Sequence, residues 1–408
     1  MAGPATYFDA SRAGELDEET RRLVERRDRA LGSAYRLFYE QPVQFVRGLG
    51  TKLWDADGNE YLDAYNNVPS VGHAHPRVVA AMAEQAATLN THTRYLSEPL
   101  IAYAEDLLAT TPLDNIMFTC TGSEANDLAL RIAKHATGNT GVIVTENAYH
   151  GVTTEIAAIS PSLGGPSSLA DWVETVPVSG DFAASVRAAI ARLAERGIRP
   201  AALIVDTIFA SDGVHPLVDG LTDAAAAVRA AGGLFIADEV QPGFGRLGHG
   251  MWGYDRYGLA PDLITVGKPM GNGQPIAAVM ARRSLVDSFG REVRYFNTFG
   301  GSNVSIAAAQ ATLDVVRDEG LIDNAATVGG YLATSLRDLG LPVRDAGLFI
   351  GVDLPSMHET LRVVNELRER GVLVAASGAD NDSLKIRPPL VFSRADADQL
   401  LTELSAVL

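Results

Sequence analysis

A single cysteine, Cys120, stands in 408 residues. That excludes an intrachain disulfide and a cysteine-built zinc cluster, and it suits a reducing cytoplasm. Basic charge is also short: 34 Lys and Arg face 50 Asp and Glu, a formal −16. Such a balance argues against nucleic acid or an anionic membrane as the main partner, while small anions still respond to local positive groups. No apolar run reaches the length of a membrane span. Residues 1–9 have neither the basic head nor the apolar stretch of a secretory signal. Low-complexity tracts and repeats of solenoid period are missing too. A soluble, cytoplasmic protein is expected.

What is present is an ordinary globular balance, 47% apolar and 21% charged, over a length that suits two domains. Residues 13–30 are densely charged and read as a solvated helix or arm. A hairpin follows over 50–63, turning at Asp57-Gly58 between apolar flanks. From residue 77 helix and strand alternate. Helices are expected at 77–89, 97–110 (with Ser97 as N-cap), 182–196, 223–231 and 305–319. Strands are expected at 141–145, 202–206, 234–237, 263–266 and 276–280. This alternation predicts an α/β fold with a mostly parallel sheet covered on both faces. A large domain is placed at 71–310, with a smaller one built from both chain ends, 1–70 and 311–408.

The chemistry concentrates at two strand ends. Gly233-Leu-Phe-Ile-Ala-Asp238 reads as a buried strand ending in a carboxylate, and Asp262-Leu-Ile-Thr-Val-Gly267 delivers Lys268 into a Gly/Pro-rich turn. Lysine at a strand end is ordinarily a solvated surface charge. Here an apolar strand leads in and glycines follow, so the backbone is built for close approach of a ligand. Asp238, placed by an apolar run, needs a buried cationic partner. An amine and a carboxylate so placed suit pyridoxal phosphate: the lysine holds the aldehyde as a Schiff base and the carboxylate keeps the ring nitrogen protonated.

Thr121-Gly122-Ser123-Glu124-Ala125-Asn126 opens a helix expected at 125–135, with Ser123 as its N-cap and Gly138 marking its end. It is either a plain capped start or a phosphate seat on free N–H groups and the positive dipole end. Asn147-Ala-Tyr149-His150-Gly151 follows a strand. Tyr149 is either a core tyrosine or a ring stacked on a cofactor, with Val240 on the opposite face, and His150 reads as a structural histidine. His73 and His75 alternate without a third ligand at metal spacing. Gly243-Phe-Gly245-Arg-Leu-Gly248 fits the dinucleotide pattern, yet glycines and Pro261 follow where a helix must open, so NAD binding is not expected. Gly267-Lys268-Pro269 lacks the Ser or Thr of a P-loop.

Assembled, Thr-Gly-Ser-Glu-Ala-Asn, Asp-Glu-Val-Gln-Pro-Gly-Phe-Gly-Arg-Leu-Gly and Gly-Lys-Pro-Met-Gly-Asn-Gly resemble the class III aminotransferases, enzymes of PLP fold type I. The resemblance runs from about residue 45 to the C-terminus. It implies Lys268 as the Schiff-base lysine and Asp238 as the pyridinium partner. It further implies Gly122 and Ser123 at the phosphate, Tyr149 and Val240 on the two ring faces, and Gln241 near the ring hydroxyl. Thr298 would reach the phosphate of a neighbouring subunit, which implies a homodimer with shared sites. Residues 65–76 and 89–96 resemble the branch of alanine–glyoxylate aminotransferase 2 and its phospho-lyase relatives. The resemblance therefore implies a ping-pong aminotransferase taking an amino donor and a keto acid acceptor. The rivals are a PLP phospho-lyase on a substrate such as phosphoethanolamine, or a catalytically silent binding protein. Departures cluster where substrate would sit. Ser211, followed by Asp212, replaces a glutamate that in many members pairs with a substrate arginine. Lys385 stands where many carry the carboxylate-binding arginine, and Arg387, shifted by two, reads as either the anion clamp or a surface charge. Ser70 and Gln274 stand where histidines are frequent.

Overall fold

The computed structural model describes residues 7–164 and 168–408. Residues 1–6, most of the stretch read above as lacking a signal, lie outside the described residues. The centre is a seven-stranded sheet: β1 (Asn115–Thr119), β2 (Gly141–Thr145), β3 (Val173–Val176), β4 (Pro200–Asp206), β5 (Leu234–Asp238), β6 (Leu263–Val266) and β7 (Ala277–Ala281), in the order β1–β7–β6–β5–β4–β2–β3. β7 runs antiparallel to both neighbours and the other pairings are parallel. Side-chain alternation splits the inner strands between two cores. Leu203, Val205, Phe235, Ala237, Ile264 and Val266 pack on one face. Ala202, Ile204, Ile236 and Leu263 pack on the other. Burial on both faces is why these strands read as unbroken apolar runs.

The helix Gly122–Thr137 covers the second face through Ala125, Leu128, Ala129, Ile132 and Ala133, a stripe at three- and four-residue spacing. Elsewhere, strand Val372–Leu373 joins Phe45–Leu49, Lys52–Asp55 and Glu60–Asp63, pairing parallel with the last. One apolar cluster accordingly runs from Tyr39 to Val407. A second four-stranded sheet, Val343–Ala346, Phe349–Asp353, Ser383–Ile386 and Ala375–Ser377, is antiparallel throughout. No helix among the described residues is long and apolar enough to cross a membrane.

The α/β architecture follows the expectation, with differences at the margins. β1 and β3 were not anticipated, and β7 begins one residue later than the 276–280 run. Ser97 does precede the helix Glu98–Leu108, but its side chain makes no cap hydrogen bond; its hydroxyl instead accepts from Asn303 Nδ2 at 3.0 Å. The charged helix Glu18–Leu31 buries none of its residues, as its composition suggests. Between β5 and β6 the chain turns repeatedly and forms only a short 3₁₀ stretch, Gly253–Tyr257. The glycine pattern at 243–248 therefore opens no α-helix, as expected.

Candidate active site

β4 ends at Asp206, β5 at Asp238, and Lys268 lies two residues beyond β6. These are carboxyl ends of parallel strands, where an open α/β sheet offers its crevice. A cavity of about 320 Å³ opens there, walled by all three and by Gly122, Ser123, Tyr149, Val240 and Gln241. That volume lies in the range of small-molecule sites.

Asp238 forms the floor. Its Oδ2 accepts from His150 Nδ1 at 2.7 Å and from Asn126 Nδ2 at 2.9 Å, while Oδ1 accepts from the Val240 N–H at 3.1 Å. Asn126 is itself fixed, accepting from Thr265 Oγ1 at 2.6 Å and donating to the His150 carbonyl at 2.7 Å. The protein's own partners for this carboxylate are thus His150, Asn126 and the Val240 N–H. Asn126 and Thr265 were missed altogether. The signal was available: Asn126 lies one helical turn past the glycine motif, on the face turned to the sheet. His150 Nε2 is buried with no hydrogen-bond partner among the described residues.

At the opposite end of the cavity, the helix Gly122–Thr137 is capped by Thr121 rather than Ser123. Thr121 Oγ1 accepts from Glu124 N while the Glu124 carboxylate takes the Thr121 N–H, a capping box. This leaves the N–H groups of Gly122 and Ser123 without a protein acceptor among the described residues, at the positive end of the helix. Ser123 is spared from capping, and its hydroxyl accepts from Val152 N at 3.1 Å. A Cβ on Gly122 would come within 3.0 Å of Val240 Cγ1, and one on Gly151 within 2.7 Å of Ser123 Cα. Both glycines are needed for this close approach. Tyr149, partly exposed, and Val240 also line the cavity. An anion seat, an aromatic ring, a small apolar side chain, a buried carboxylate and an amine together fit a flat phosphorylated ring.

Lys268 Nζ has no hydrogen-bond partner among the described residues. Burial lowers its pKa, and the charge of Arg387 lowers it further, against the pull of Asp238 and Asp206. Asp206, directly across from Asp238 in the β4–β5 register, is pushed up to about 6 by burial and by the Asp238 charge. Among the described residues its carboxylate oxygens accept only from the Ile208 and Ala210 N–H groups. Lys385 is lowered to about 7, by burial first and then by Arg387. The Arg387 guanidinium donates from Nη1 to Gln241 Oε1 and lies 4.6 Å over the Tyr65 ring. It is therefore a partly buried group beside the cavity, not a surface charge. Neither Lys385 nor Arg387 pairs with a carboxylate among the described residues.

Thr298 is not brought to the cavity; it is exposed on the segment between Arg283–Glu292 and Asn303–Asp318. Ser70 Oγ donates to the Pro269 carbonyl at 2.8 Å, behind Lys268. Gln274 lines the cavity and donates to Ser305 Oγ at 3.1 Å. Asp212 accepts from Thr145 Oγ1 at 2.7 Å and from Asn147 N at 3.1 Å, so it anchors the strand end that carries Tyr149. No three His, Cys, Asp or Glu among the described residues gather to hold a metal; His73 Nε2 lies 2.7 Å from Asp63 instead.

Residues 38–408 match the family model described as Aminotransferase class-III. The chain is 36% identical to an ethanolamine-phosphate phospho-lyase homolog of Caenorhabditis elegans, over 95% of this chain and 93% of that protein. It is also 36% identical to an alanine–glyoxylate aminotransferase 2-like protein of Drosophila melanogaster, over 93% and 85%. Among solved structures it resembles a phospholyase from Arthrobacter in complex with phosphoethanolamine, at 43% identity and a TM-score of 0.91 over 94% of this chain and 99% of that one.

Proposed function

The chain belongs to the class-III aminotransferase family, whose cofactor is pyridoxal 5′-phosphate, and from that premise we propose that it is a phospho-lyase acting on a phosphorylated amino alcohol such as phosphoethanolamine. The observation that carries this reading is the Arg387 guanidinium with the Lys385 amine beside it. Both stand near Lys268, and neither is neutralised by an ion pair with a carboxylate among the described residues. Many family members place a glutamate where Ser211 stands, to occupy an arginine when the substrate carries no anion. With serine there, Arg387 suits a substrate whose far end is always anionic. A guanidinium with a second amine beside it, whose protonation an arriving dianion favours, suits a phosphate better than a single carboxylate. The Arthrobacter and C. elegans relatives support the same choice.

When bound, the cofactor supplies an aldehyde that takes the substrate amine and a ring that accepts an electron pair. Gly122 and Ser123 would hold its phosphate, Tyr149 and Val240 would flank the ring, Gln241 would sit near the ring hydroxyl, and Asp238 would keep the ring nitrogen protonated. Lys268 holds the cofactor between turnovers. Once displaced, its Nζ takes the proton from the carbon bearing the substrate amine, and the depressed pKa favours this basic form. The C–O bond at the next carbon then breaks, and the phosphate leaves with the bonding electrons beside Arg387 and Lys385. A carbon–carbon double bond remains. Uptake of one water converts the unsaturated amine into an aldehyde and ammonium. Aminotransfer from an amino donor to a keto acid is the second reading. It would use Lys268 in the same proton-moving role, and Arg387 held by Gln241 over Tyr65 also fits a carboxylate.

The exposed position of Thr298, with Leu96 and Phe299 also solvent-facing, supports a homodimer in which Thr298 completes the partner's phosphate seat. The parallel pairing of Val372–Leu373 with Glu60–Asp63 supports a large domain at 71–310 and a small one from 1–70 and 311–408. The single cysteine suits a cytoplasmic location. Phosphoethanolamine given without any keto acid tests the reading: phosphate and ammonium should accumulate over many turnovers. Conversion of the cofactor to its amine form, with no phosphate released, would instead make the protein an aminotransferase.

A further inference from the structure

Arg246 is buried to 1% exposure, yet no carboxylate pairs with it among the described residues. Burying an unpaired guanidinium is costly, and burial together with the charge of Arg387 lowers its pKa to about 9. What holds it is a set of carbonyls. Nη1 donates to the Pro388 carbonyl at 2.6 Å and to the Leu348 carbonyl at 3.2 Å, while its own backbone oxygen accepts from Leu348 N at 3.0 Å. Pro388 immediately follows Arg387. The Arg387 backbone is pinned on its other side by its N–H to the Ala64 carbonyl at 2.9 Å.

The turn that carries Arg246 begins at the cavity wall. Val240 and Gln241 precede it, Phe244 takes a left-handed φ of 62°, and Gly245 and Gly248 are left-handed too. A Cβ on Gly347 would fall 2.5 Å from the Leu247 carbonyl carbon, so the turn and the 346–348 bend are pressed together without slack. Gln241 holds the Arg387 side chain and Arg246 holds the next carbonyl. One turn therefore holds both the Arg387 side chain and the carbonyl of the residue that follows it.

We infer that Arg246 is a positioning residue that sets where Arg387 meets the anionic end of the substrate, so that it governs affinity for that anion rather than the proton transfer at Lys268. This rests on the phospho-lyase reading, in which Arg387 takes the phosphate.

The test compares wild type, Arg246→Lys and Arg246→Met holoenzymes. The readouts are kcat and KM for phosphoethanolamine, competitive inhibition by inorganic phosphate, cofactor affinity and melting temperature. Arg246→Lys keeps the charge, but its shorter side chain stops short of the place where Nη1 meets both carbonyls. Its KM and its inhibition constant for phosphate should both rise, by about tenfold for loss of one charge-assisted hydrogen bond. Its kcat should stay within about threefold and its cofactor affinity unchanged. Arg246→Met should show a larger KM effect. A fall in kcat or cofactor affinity with KM unchanged would overturn the inference, as would failure of both variants to fold, because the contact would then be structural only. If wild type releases no phosphate from phosphoethanolamine but still binds inorganic phosphate more tightly than Arg246→Lys, the functional reading fails and the positioning role survives.

Discussion

Replacing Asp238 by asparagine removes one charge while keeping the shape, and the structure says what each oxygen loses. Oδ2 accepts from His150 Nδ1 and Asn126 Nδ2, and Oδ1 accepts from Val240 N–H. An asparagine that keeps its oxygen toward His150 and Asn126 must turn its amide hydrogens onto the Val240 N–H. One buried donor then faces another, at a cost of about 1–3 kcal/mol of stability. Catalysis should lose more. If Asp238 holds the ring nitrogen protonated, its neutral replacement leaves a buried cation unpaired, an effect of about 3–5 kcal/mol. Felt in the transition state, that is roughly a 10²- to 10⁴-fold fall in kcat. Phosphate release by the cofactor-loaded variant is the assay, with cofactor occupancy measured beside it. An Asp238→Asn enzyme that binds cofactor and turns over within tenfold of wild type would refute the role given to this carboxylate.

Lys268→Ala should abolish turnover while leaving the fold intact, read by phosphate release and by circular dichroism; substantial residual activity would sink the proton-transfer role. Gly151→Ala puts a Cβ at a φ of +135° and within 2.7 Å of Ser123 Cα. It should weaken cofactor binding at least tenfold in an equilibrium titration, since the phosphate corner must shift. Glu239 is buried and accepts from Thr207 Oγ1, Gly253 N and Tyr254 N, yet burial outweighs those donors and pushes its pKa up to about 8. The folded state therefore binds this proton more tightly than the unfolded chain does. The stabilisation is full below the ordinary glutamate value and is lost as pH rises to about 8. Melting temperature should fall across that window in wild type and fall less in Glu239→Gln; parallel pH profiles would contradict the sign.

Much of this site was legible because its chemistry is written into short runs. A buried strand ending in Asp238 and another delivering Lys268 are patterns that apolar periodicity exposes, and the seven-stranded sheet sets them side by side through β5–β6 pairing. Helix starts were legible too, but not which hydroxyl caps. Thr121 and Ser123 are both acceptable cap residues, and the Glu124 side chain decides between them by closing a box with Thr121. β1 and β3 are not marked out by the sequence pattern: polar Asn115 and Thr119 confine the apolar run of β1 to three residues, and Glu174 and Thr175 interrupt that of β3. Asn126, His150 and Arg246 could not be read from local sequence. Their partners lie 112, 88 and 142 positions away, and only the packed fold brings those groups together. Arg387 was ambiguous for the same reason, since Gln241 and Tyr65 decide its place.

The most direct test of the central claim is to reduce the cofactor-loaded protein with borohydride and map the labelled peptide. Reduction fixes the cofactor to the amine that holds it. Lys268 has a real competitor in Lys385, whose amine is lowered to about 7. One label per chain, on the peptide containing Lys268, is the predicted result. A label on Lys385, or no label from a protein that has bound the cofactor, would contradict the account of the site.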